Sequence, residues 1–263
     1  MSASTLEVNH VHVFRNKKLV LQDISFTAYE GEIIAVMGPN GCGKSTLLHT
    51  LNRSLPYTSG SIQVQQIPLQ QYSRKQLARQ IAILPQTHMV PEAIQVRNLV
   101  QLGRFPYQRF YRGGTRKDED RVNAALQAVQ LTDKAMLPVA ELSGGEQQRV
   151  WLAVLLAQEA KILLLDEPTV YLDMYHQLQL LQRLQTICTC FRLTILIVLH
   201  DINSALQYAQ RILVMKAGKV VACGKPETTV TPALLASVFH IQSEVVRLKG
   251  GGSAIIPLST DEN

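Results

Sequence analysis

The sequence predicts an α/β fold in which helices cover a mainly parallel sheet and a glycine-rich loop binds phosphate. Residues 38–46 form that loop, and they follow a short apolar segment and precede a segment with helical spacing. Residues 161–168 contain an unbroken apolar run, as expected for a strand buried on both faces of a parallel sheet. A chain of 263 residues can bury a substantial core, so we expect one large domain, with or without a subdomain.

Composition and charge exclude several classes of protein. No apolar run approaches the ~18 residues of a membrane span, and the N-terminus lacks a signal-peptide pattern, so we expect the chain to stay in the cytoplasm. The net charge of +6 would allow a nucleic acid or an anionic membrane as partner, but the basic residues are scattered, and we predict no nucleic-acid partner. The four cysteines have no C-x-x-C spacing, which indicates neither a zinc site nor a disulfide framework.

The N-terminal residues predict two strands, at 6–13 and 19–29, joined by a turn. Phe14 directly follows the first strand, and its ring could stack on a nucleotide base. An aromatic side chain that fills the edge of a sheet is an equally good interpretation of this residue.

The glycine-rich loop fits G-x-x-x-x-G-K-[ST], the Walker A motif, without a gap. Its glycines let backbone N–H groups close around phosphate oxygens at the positive end of the following helix. Lys44 would reach the β- and γ-phosphates, and the Ser45 hydroxyl would bind Mg²⁺. The alternative is a turn that matches by accident. The residues of the loop are Gly38, Pro39, Asn40, Gly41, Cys42, Gly43, Lys44, Ser45 and Thr46.

Gln86 follows the predicted strands at 61–65 and 81–84. An amide at the exit of a buried strand can bind Mg²⁺ or a metal-bound water, whereas the alternative is a solvent-facing loop amide. The helical patterns of residues 87–141, interrupted by prolines and glycines, predict a helical subdomain inserted in the core. Within it, residues 103–112 are basic and aromatic, which favours a partner-docking surface over a short nucleic-acid patch.

Ser143 and Glu146 have the S-x-x-E spacing of a capping box at the start of a second predicted helix. Gly144 and Gly145 would expose N–H groups at the positive end of this helix, which predicts a second anion site. The alternative is a well-capped helix and nothing more.

Two carboxylates, Asp166 and Glu167, end the buried apolar run. Asp166 is placed to hold Mg²⁺ through water, and Glu167 to orient or deprotonate a water that attacks the γ-phosphate. A second run, residues 194–199, ends in His200, which could hydrogen-bond the γ-phosphate or be structural. Beyond it we expect a hairpin at 211–223, a helix at 232–239 and two weak strands near residue 250.

Motifs along nearly the whole chain, taken in order, resemble the ATP-binding cassette (ABC) family of ATPases. They are the loop at 38–46, Gln86, the segment 142–149, the run 162–167, Asp173 and His200. The resemblance identifies them as the Walker A loop, the Q-loop, the signature motif, Walker B with its catalytic glutamate, the D-loop aspartate and the switch histidine. It implies a P-loop NTPase core with an N-terminal antiparallel β subdomain and an inserted helical subdomain.

The resemblance also implies site residues and boundaries. Gln86, Glu167 and His200 would be catalytic, and Ser45, Gln86 and Asp166 would bind Mg²⁺. ATP would be bound by residues 38–46 and, across a head-to-tail homodimer, by Ser143, Gly144, Gly145 and Asp173. The ATP-binding domain would span residues 1–240, with the helical subdomain at 87–160, and residues 241–263 would form a C-terminal tail.

Within the family, the runs at 91–96, 103–106 and 167–177 resemble importers of ferric siderophores, haem and vitamin B12, closest to the ferric-citrate type. This implies two membrane permease subunits, a periplasmic or lipoprotein substrate-binding protein in indirect contact, and a peripheral position on the cytoplasmic face of the membrane. The sequence departs from the pattern at Cys42, where Ser is usual, at Ala93, where Gly is usual, and at Arg15, which takes the aromatic position instead of Phe14. An exporter ATPase, or a non-transport ABC ATPase acting on DNA or the ribosome, is the alternative.

Cys42 lies beside Lys44 and at the start of a helix, two features that lower the pKa of a thiol. This predicts a reactive cysteine that MgATP protects. The alternative is a small residue that replaces serine without consequence.

Overall fold

The computed structural model describes residues 3–86, 93–108, 114–170, 172–247 and 252–260. In these residues the strands are β1 (Ser4–Arg15), β2 (Lys18–Tyr29), β3 (Ile33–Met37), β4 (Ser59–Val64), β5 (Ile67–Pro68), β6 (Ile81–Leu84), β7 (Ile162–Leu165), β8 (Thr194–Val198), β9 (Arg211–Lys216), β10 (Lys219–Gly224), β11 (Ile241–Arg247) and β12 (Ser253–Thr260). The helices are α1 (Lys44–Leu51), α2 (Arg74–Ala78), α3 (Val96–Leu102), α4 (Arg116–Ala128), α5 (Gly144–Ala157), α6 (Met174–Phe191), α7 (Ile202–Tyr208), α8 (Pro226–Thr229) and α9 (Pro232–Phe239).

A six-stranded sheet in the order β10-β9-β3-β8-β7-β6 forms the centre of the fold. Its pairs are parallel apart from the edge hairpin of β9 and β10, which is antiparallel. Every residue of β3, β7 and β8 is buried, as their apolar sequences predict for strands covered on both faces. The predicted mainly parallel sheet is therefore confirmed.

Alternate residues of the central strands face two separate hydrophobic cores. On β3, Ile33, Ala35 and Met37 belong to the core shared with α5 and α6, whereas Ile34 and Val36 belong to the core around α1 and the N-terminal sheet. Because side chains alternate along a strand, each central strand contributes to both layers. The carboxyl ends of these strands meet at one edge of the sheet, where the site residues follow β3, β6, β7 and β8.

The N-terminal residues form an antiparallel sheet in the order β2-β1-β4-β5, which confirms the predicted strands with longer bounds. The turn between β1 and β2 consists of Asn16 and Lys17, both with positive φ (49° and 64°). Positive φ at both central residues is typical of a type I′ hairpin turn, whose twist matches that of the strands. This hairpin carries Arg15 and Val20 to the side of the phosphate loop.

Helices α3, α4 and α5 pack on one another and form the helical part of the fold. They are joined to the core by side chains: Gln158 Nε2 donates to Ala78 O and Ile81 O, and the Arg79 guanidinium donates to Pro106 O. Residues 87–92 and 109–113, which belong to the predicted helical subdomain, lie outside the described residues. The exact domain boundaries, 87–160 and 1–240, stay predictions.

The C-terminal part contains the expected hairpin of β9 and β10, the expected helix α9, and a separate two-stranded sheet of β11 and β12. Asn203 on α7 fixes this small sheet by exchanging two hydrogen bonds with the backbone of Ile255. None of the helices in the described part of the chain combines the length and apolar character needed to cross a bilayer.

Candidate nucleotide-hydrolysis site

The phosphate loop connects β3 to α1, as the sequence predicts. Gly38 has φ 150°, and a Cβ atom there would lie 2.2 Å from the carbonyl oxygen of Met215. Gly43 has φ 107°, and a Cβ atom there would lie 2.7 Å from the side chain of Leu21. Both positions therefore require glycine. Lys44 is buried, and its Nζ donates to Gly38 O at 2.8 Å and Pro39 O at 3.0 Å, which holds the ammonium group inside the curve of the loop.

A cleft with a volume of about 540 Å³ lies over this loop. It is lined by Arg15, Val20, Asn40, Gly41, Gly43, Lys44, Ser45, Thr46, Gln86, Glu167 and His200. The structure thus brings the predicted catalytic residues to the phosphate loop, although Glu167 and His200 lie more than 100 positions beyond it in the sequence. The described lining of the cleft includes none of Ser143, Gly144, Gly145 and Asp173.

Glu167 is the centre of a polar cluster at the carboxyl end of β7. Its Oε2 accepts a hydrogen bond from Gln86 Nε2 at 2.7 Å, and its Oε1 lies 2.7 Å from His200 Nε2. Glu167 also has φ 51°, a conformation that is uncommon outside glycine and that occurs both in turns and at functional sites. The strands β6 and β8 therefore each deliver one polar side chain to the carboxylate that follows β7.

Ser45, which lines the cleft, forms a second polar contact with the neighbouring buried residue Asp166. Ser45 Oγ donates to Asp166 Oδ1 at 3.1 Å, and Asp166 is only 4% exposed. Burial raises the pKa of Asp166, with a further increase from the charge of Glu167, and the hydrogen bond from Ser45 offsets part of this. A buried carboxylate beside a hydroxyl is a set of hard oxygen donors, which suits Mg²⁺. In the described residues no group of three or more His, Cys, Asp or Glu side chains could hold a metal by itself.

Ser143 is the N-cap of α5, and the predicted capping box is present: Glu146 N donates to Ser143 Oγ, while Ser143 N donates to Glu146 Oε2. The hydrogen bond from Lys134, followed by the one from the Ser143 backbone, lowers the pKa of Glu146 to about 2. Gly144 has open space where a Cβ would stand, so the first turn of α5 presents bare backbone to its surroundings. We call residues 143–145 the signature turn.

Asp173 is the N-cap of α6, where its Oδ1 accepts from the backbone N–H of His176 at 2.9 Å. The reasoning from sequence did not single out His176, although its spacing from Asp173 is that of a capping pair. Its ring lies against Gly145 of the signature turn. Asp173 and the signature turn are therefore neighbours within one chain, away from the cleft.

The expected reactivity of Cys42 needs correction. Cys42 is 4% exposed, and burial raises the pKa of its thiol, with the charge of Lys44 offsetting only part of the increase. The prediction of a low pKa was wrong because the side chain points beneath the loop, so that a Cβ on Gly38 would lie 2.7 Å from Cys42 Sγ. Phe14 is 49% exposed and does not line the described cleft, whereas Arg15 does.

Comparison with known proteins identifies the family. The family model described as ABC transporter matches residues 21–170, which covers more than half of the chain and includes the phosphate loop, Gln86, the signature turn and Glu167. The chain belongs to the ABC transporter family. As an ABC ATPase it uses ATP, and its fold is the one that the sequence predicts.

Relatives within the ABC transporter family extend over most of the chain. The petrobactin import ATP-binding protein of Bacillus anthracis is 41% identical over 240 residues, which are 91% of this chain and 88% of that protein. The ferric enterobactin transport ATP-binding protein of Escherichia coli is 38% identical over 240 residues, 91% of this chain and 89% of that protein. A chain in the inward-facing structure of a transporter assigned to the metal-chelate ABC type superimposes with a TM-score of 0.86 at 27% identity, covering 98% of both chains. The particular likeness to the ferric-citrate type stays a prediction.

Proposed function

We propose that this ABC ATPase energises the import of an iron chelate, of the siderophore, ferric-citrate or haem class, through a separate membrane permease. The relatives described above, which act in petrobactin and ferric enterobactin import, support the chelate class. The observation that carries the hydrolytic part is the convergence of Gln86 and His200 on the Glu167 carboxylate beside the phosphate loop.

In the proposed mechanism, the backbone of the phosphate loop and Lys44 bind the β- and γ-phosphates of ATP. Glu167 orients a water toward the γ-phosphate and takes its proton, and ADP and phosphate are released. Gln86 and His200 hold the Glu167 carboxylate from both oxygens, which fixes its direction in the cleft. Because Glu167 is only 14% exposed, its carboxylate acts in a site with little competing solvent.

Ser45, Asp166 and Gln86 would hold Mg²⁺. The cation would neutralise developing charge on the phosphate oxygens. The Asp166 carboxylate is buried, and the hydrogen bond described for it comes from a neutral group, the Ser45 hydroxyl, which fits a carboxylate placed for a cation.

We further propose that two copies of the chain form a head-to-tail homodimer, in which the signature turn of one copy contacts ATP in the cleft of the other. The position of the signature turn and Asp173 outside the cleft of their own chain supports this arrangement. Met174, Tyr175 and Leu178, at the start of α6, are exposed by 78%, 65% and 39%, and such an apolar patch suits a second copy. A Ser143→Arg chain should bind ATP as a monomer and fail to form the ATP-bound dimer; loss of ATP binding by the isolated chain would contradict the assignment.

Two permease subunits are the proposed membrane partners, which places the chain on the cytoplasmic face of the membrane as a peripheral subunit. Exposed apolar side chains near the two ends of α3, Leu102 and Phe105 on one side and Met136 and Leu137 on the other, support a docking surface on the helical part. A periplasmic or lipoprotein binding protein would act on the permease and touch this chain only indirectly. Nucleic acid is not among the proposed partners.

Uptake of a radiolabelled ferric chelate tests the transport function. Cells that lack the endogenous gene should regain uptake when this chain is supplied, and a Lys44→Ala chain expressed at the same level should not restore it. Restoration by both chains would contradict energy coupling by this site. Copurification of the chain with a membrane permease would identify the partner, and copurification with ribosomes or DNA instead would contradict the importer assignment.

A further inference from the structure

Two side-chain contacts join α5 to the chain that follows β7, one at the loop and one at the start of α6, and neither belongs to the nucleotide cleft. The first comes from Gln148, on the first turns of α5, whose Nε2 donates to the carbonyl oxygen of Pro168 at 2.9 Å. Pro168 is the residue after Glu167. The contact therefore connects the helix that begins at the signature turn directly to the backbone beside the proposed catalytic carboxylate.

The second contact is between His176 and Gly145. A Cβ atom built on Gly145 would lie 2.4 Å from Cδ2 of His176 and 2.9 Å from two other ring atoms, so the ring lies directly against the backbone of the signature turn. The ring is fixed in place because its Nδ1 lies 2.8 Å from Asp173 Oδ1, and the edge of the Tyr175 ring packs on it. A side chain on residue 145 would force this ring away.

We propose that His176 and Gln148 are positioning residues that fix the signature turn to Pro168, beside Glu167, and to the start of α6, so that a displacement of the turn also displaces these groups. The inference rests on the proposed function and on the head-to-tail dimer. In that dimer the signature turn contacts the ATP of the partner, while Glu167 acts on the ATP of its own chain. When the signature turn shifts on binding the partner's ATP, its contacts at Gly145 and Pro168 shift the position of Glu167 as well. This would couple the two ATP sites of the dimer.

Helix capping alone does not explain the histidine. Asp173 caps α6 by accepting from the backbone N–H of residue 176, which any residue at that position would supply. The His176 side chain is 36% exposed, and the part that is covered lies against Asp173 and the signature turn. What the imidazole adds is the contact with Gly145. A variant that keeps the ring but loses the bond to Asp173 should therefore retain the coupling better than one that loses the ring.

The experiment measures steady-state ATP hydrolysis as a function of ATP concentration, together with the ATP affinity of the isolated chain. The variants are His176→Ala, His176→Phe and Gln148→Ala. His10→Asn is the matched control, because His10 also pairs with an aspartate at 2.7 Å but lies 79% exposed on β1, away from α5. Thermal unfolding of each variant establishes that it is folded.

We expect His176→Ala and Gln148→Ala to bind ATP within about twofold of the wild type and to lose roughly ten- to a hundredfold in kcat, because a displaced catalytic group costs rate rather than nucleotide affinity. The cooperative dependence of hydrolysis on ATP concentration should be lost together with kcat. His176→Phe should keep most of the wild-type kcat and cooperativity, since its ring can remain against Gly145. The control His10→Asn should match the wild type.

Three results would overturn the inference: wild-type kcat and cooperativity in both His176→Ala and Gln148→Ala, a loss of ATP affinity as large as the loss of kcat, or no recovery in folded His176→Phe. A wild-type chain that binds ATP without hydrolysing it, with its permease present, would instead contradict the proposed function. The two failures are thus distinguishable.

Discussion

Arg104 offers the sharpest test of how the helical part is held on the core. It is 1% exposed, and its guanidinium donates to Asp118 Oδ1 at 2.9 Å, Glu159 Oε2 at 2.7 Å and the carbonyl oxygen of Ala157 at 2.6 Å. The guanidinium also stacks over the ring of Tyr107, 4.0 Å from its centroid. The segment that begins at Gly103 is therefore fixed to both α4 and the end of α5.

Arg104→Ala should cost about 3–5 kcal/mol of unfolding free energy, because Asp118 would remain buried without its cation. Arg121→Ala is the matched control: Arg121 pairs with the same Glu159 at 3.0 Å, but its side chain is 48% exposed. An exposed pair of this kind contributes about 0–1 kcal/mol. At roughly 2–4 °C per kcal/mol for a chain of this size, Arg104→Ala should lower Tm by about 6–20 °C and Arg121→Ala by less than about 4 °C.

Thermal and urea unfolding without nucleotide measure both changes. Burial acts to raise the pKa of Asp118, but hydrogen bonds from Thr115 and Arg104 outweigh it, so the pKa lies below its usual value. A carboxylate with a depressed pKa stabilises the fold above its unfolded pKa of about 3.9 and loses that contribution at lower pH. The difference in unfolding free energy between Arg104→Ala and the wild type should therefore become smaller below about pH 4. Equal losses for Arg104→Ala and Arg121→Ala at neutral pH would refute this reasoning.

Three further predictions follow from the same contacts. A short maleimide pulse should label the exposed Cys190 at least about tenfold faster than Cys42, whose thiol is buried with a raised pKa, and peptide mapping that finds Cys42 labelled first would contradict its placement. Glu146→Gln should destabilise the chain at neutral pH, and the difference in unfolding free energy should shrink as pH falls from about 4.5 to 2, because the unfolded carboxyl group takes up its proton in this range and the folded one does so only near pH 2; a difference that is constant from pH 7 to 2 would exclude the Lys134 contact as its cause. Gly145→Ala should destabilise the wild type more than it destabilises His176→Ala, because the new methyl group meets the imidazole ring only in the wild type. Urea unfolding measures both losses, and equal losses would show that the ring does not lie against Gly145.

The central strands and the cluster around Glu167 were predictable because their signals are local and strong. The apolar runs that became β7 and β8 are buried throughout, as expected for a covered parallel sheet. Since the carboxyl ends of parallel strands share one edge of the sheet, residues that directly follow β6, β7 and β8 had to converge. Gln86 and His200 meet the Glu167 carboxylate at this edge.

Other features depended on contacts between distant segments, which spacing does not reveal. The pKa of Cys42 was mispredicted because its neighbour Lys44 is visible in the sequence, whereas its burial beneath Gly38 is not. The pairing of Arg104 with Asp118 and Glu159 joins three segments of the helical part. The contact of His176 with Gly145 was not predictable for the same reason, since only the folded chain brings α6 to the signature turn.

ATP hydrolysis by a Glu167→Gln chain tests most directly whether the Glu167 carboxylate activates the attacking water. The substitution keeps the size of the side chain and can keep a hydrogen bond to Gln86 or His200, but it removes the base. Glu30→Gln, which changes an exposed carboxylate in the turn after β2, is the control. We predict that Glu167→Gln binds MgATP within about twofold of the wild type, loses roughly 10²–10⁴-fold in turnover and accumulates as an ATP-bound dimer, while Glu30→Gln behaves as wild type. Turnover near the wild-type rate in Glu167→Gln would contradict the claim that this carboxylate activates the attacking water.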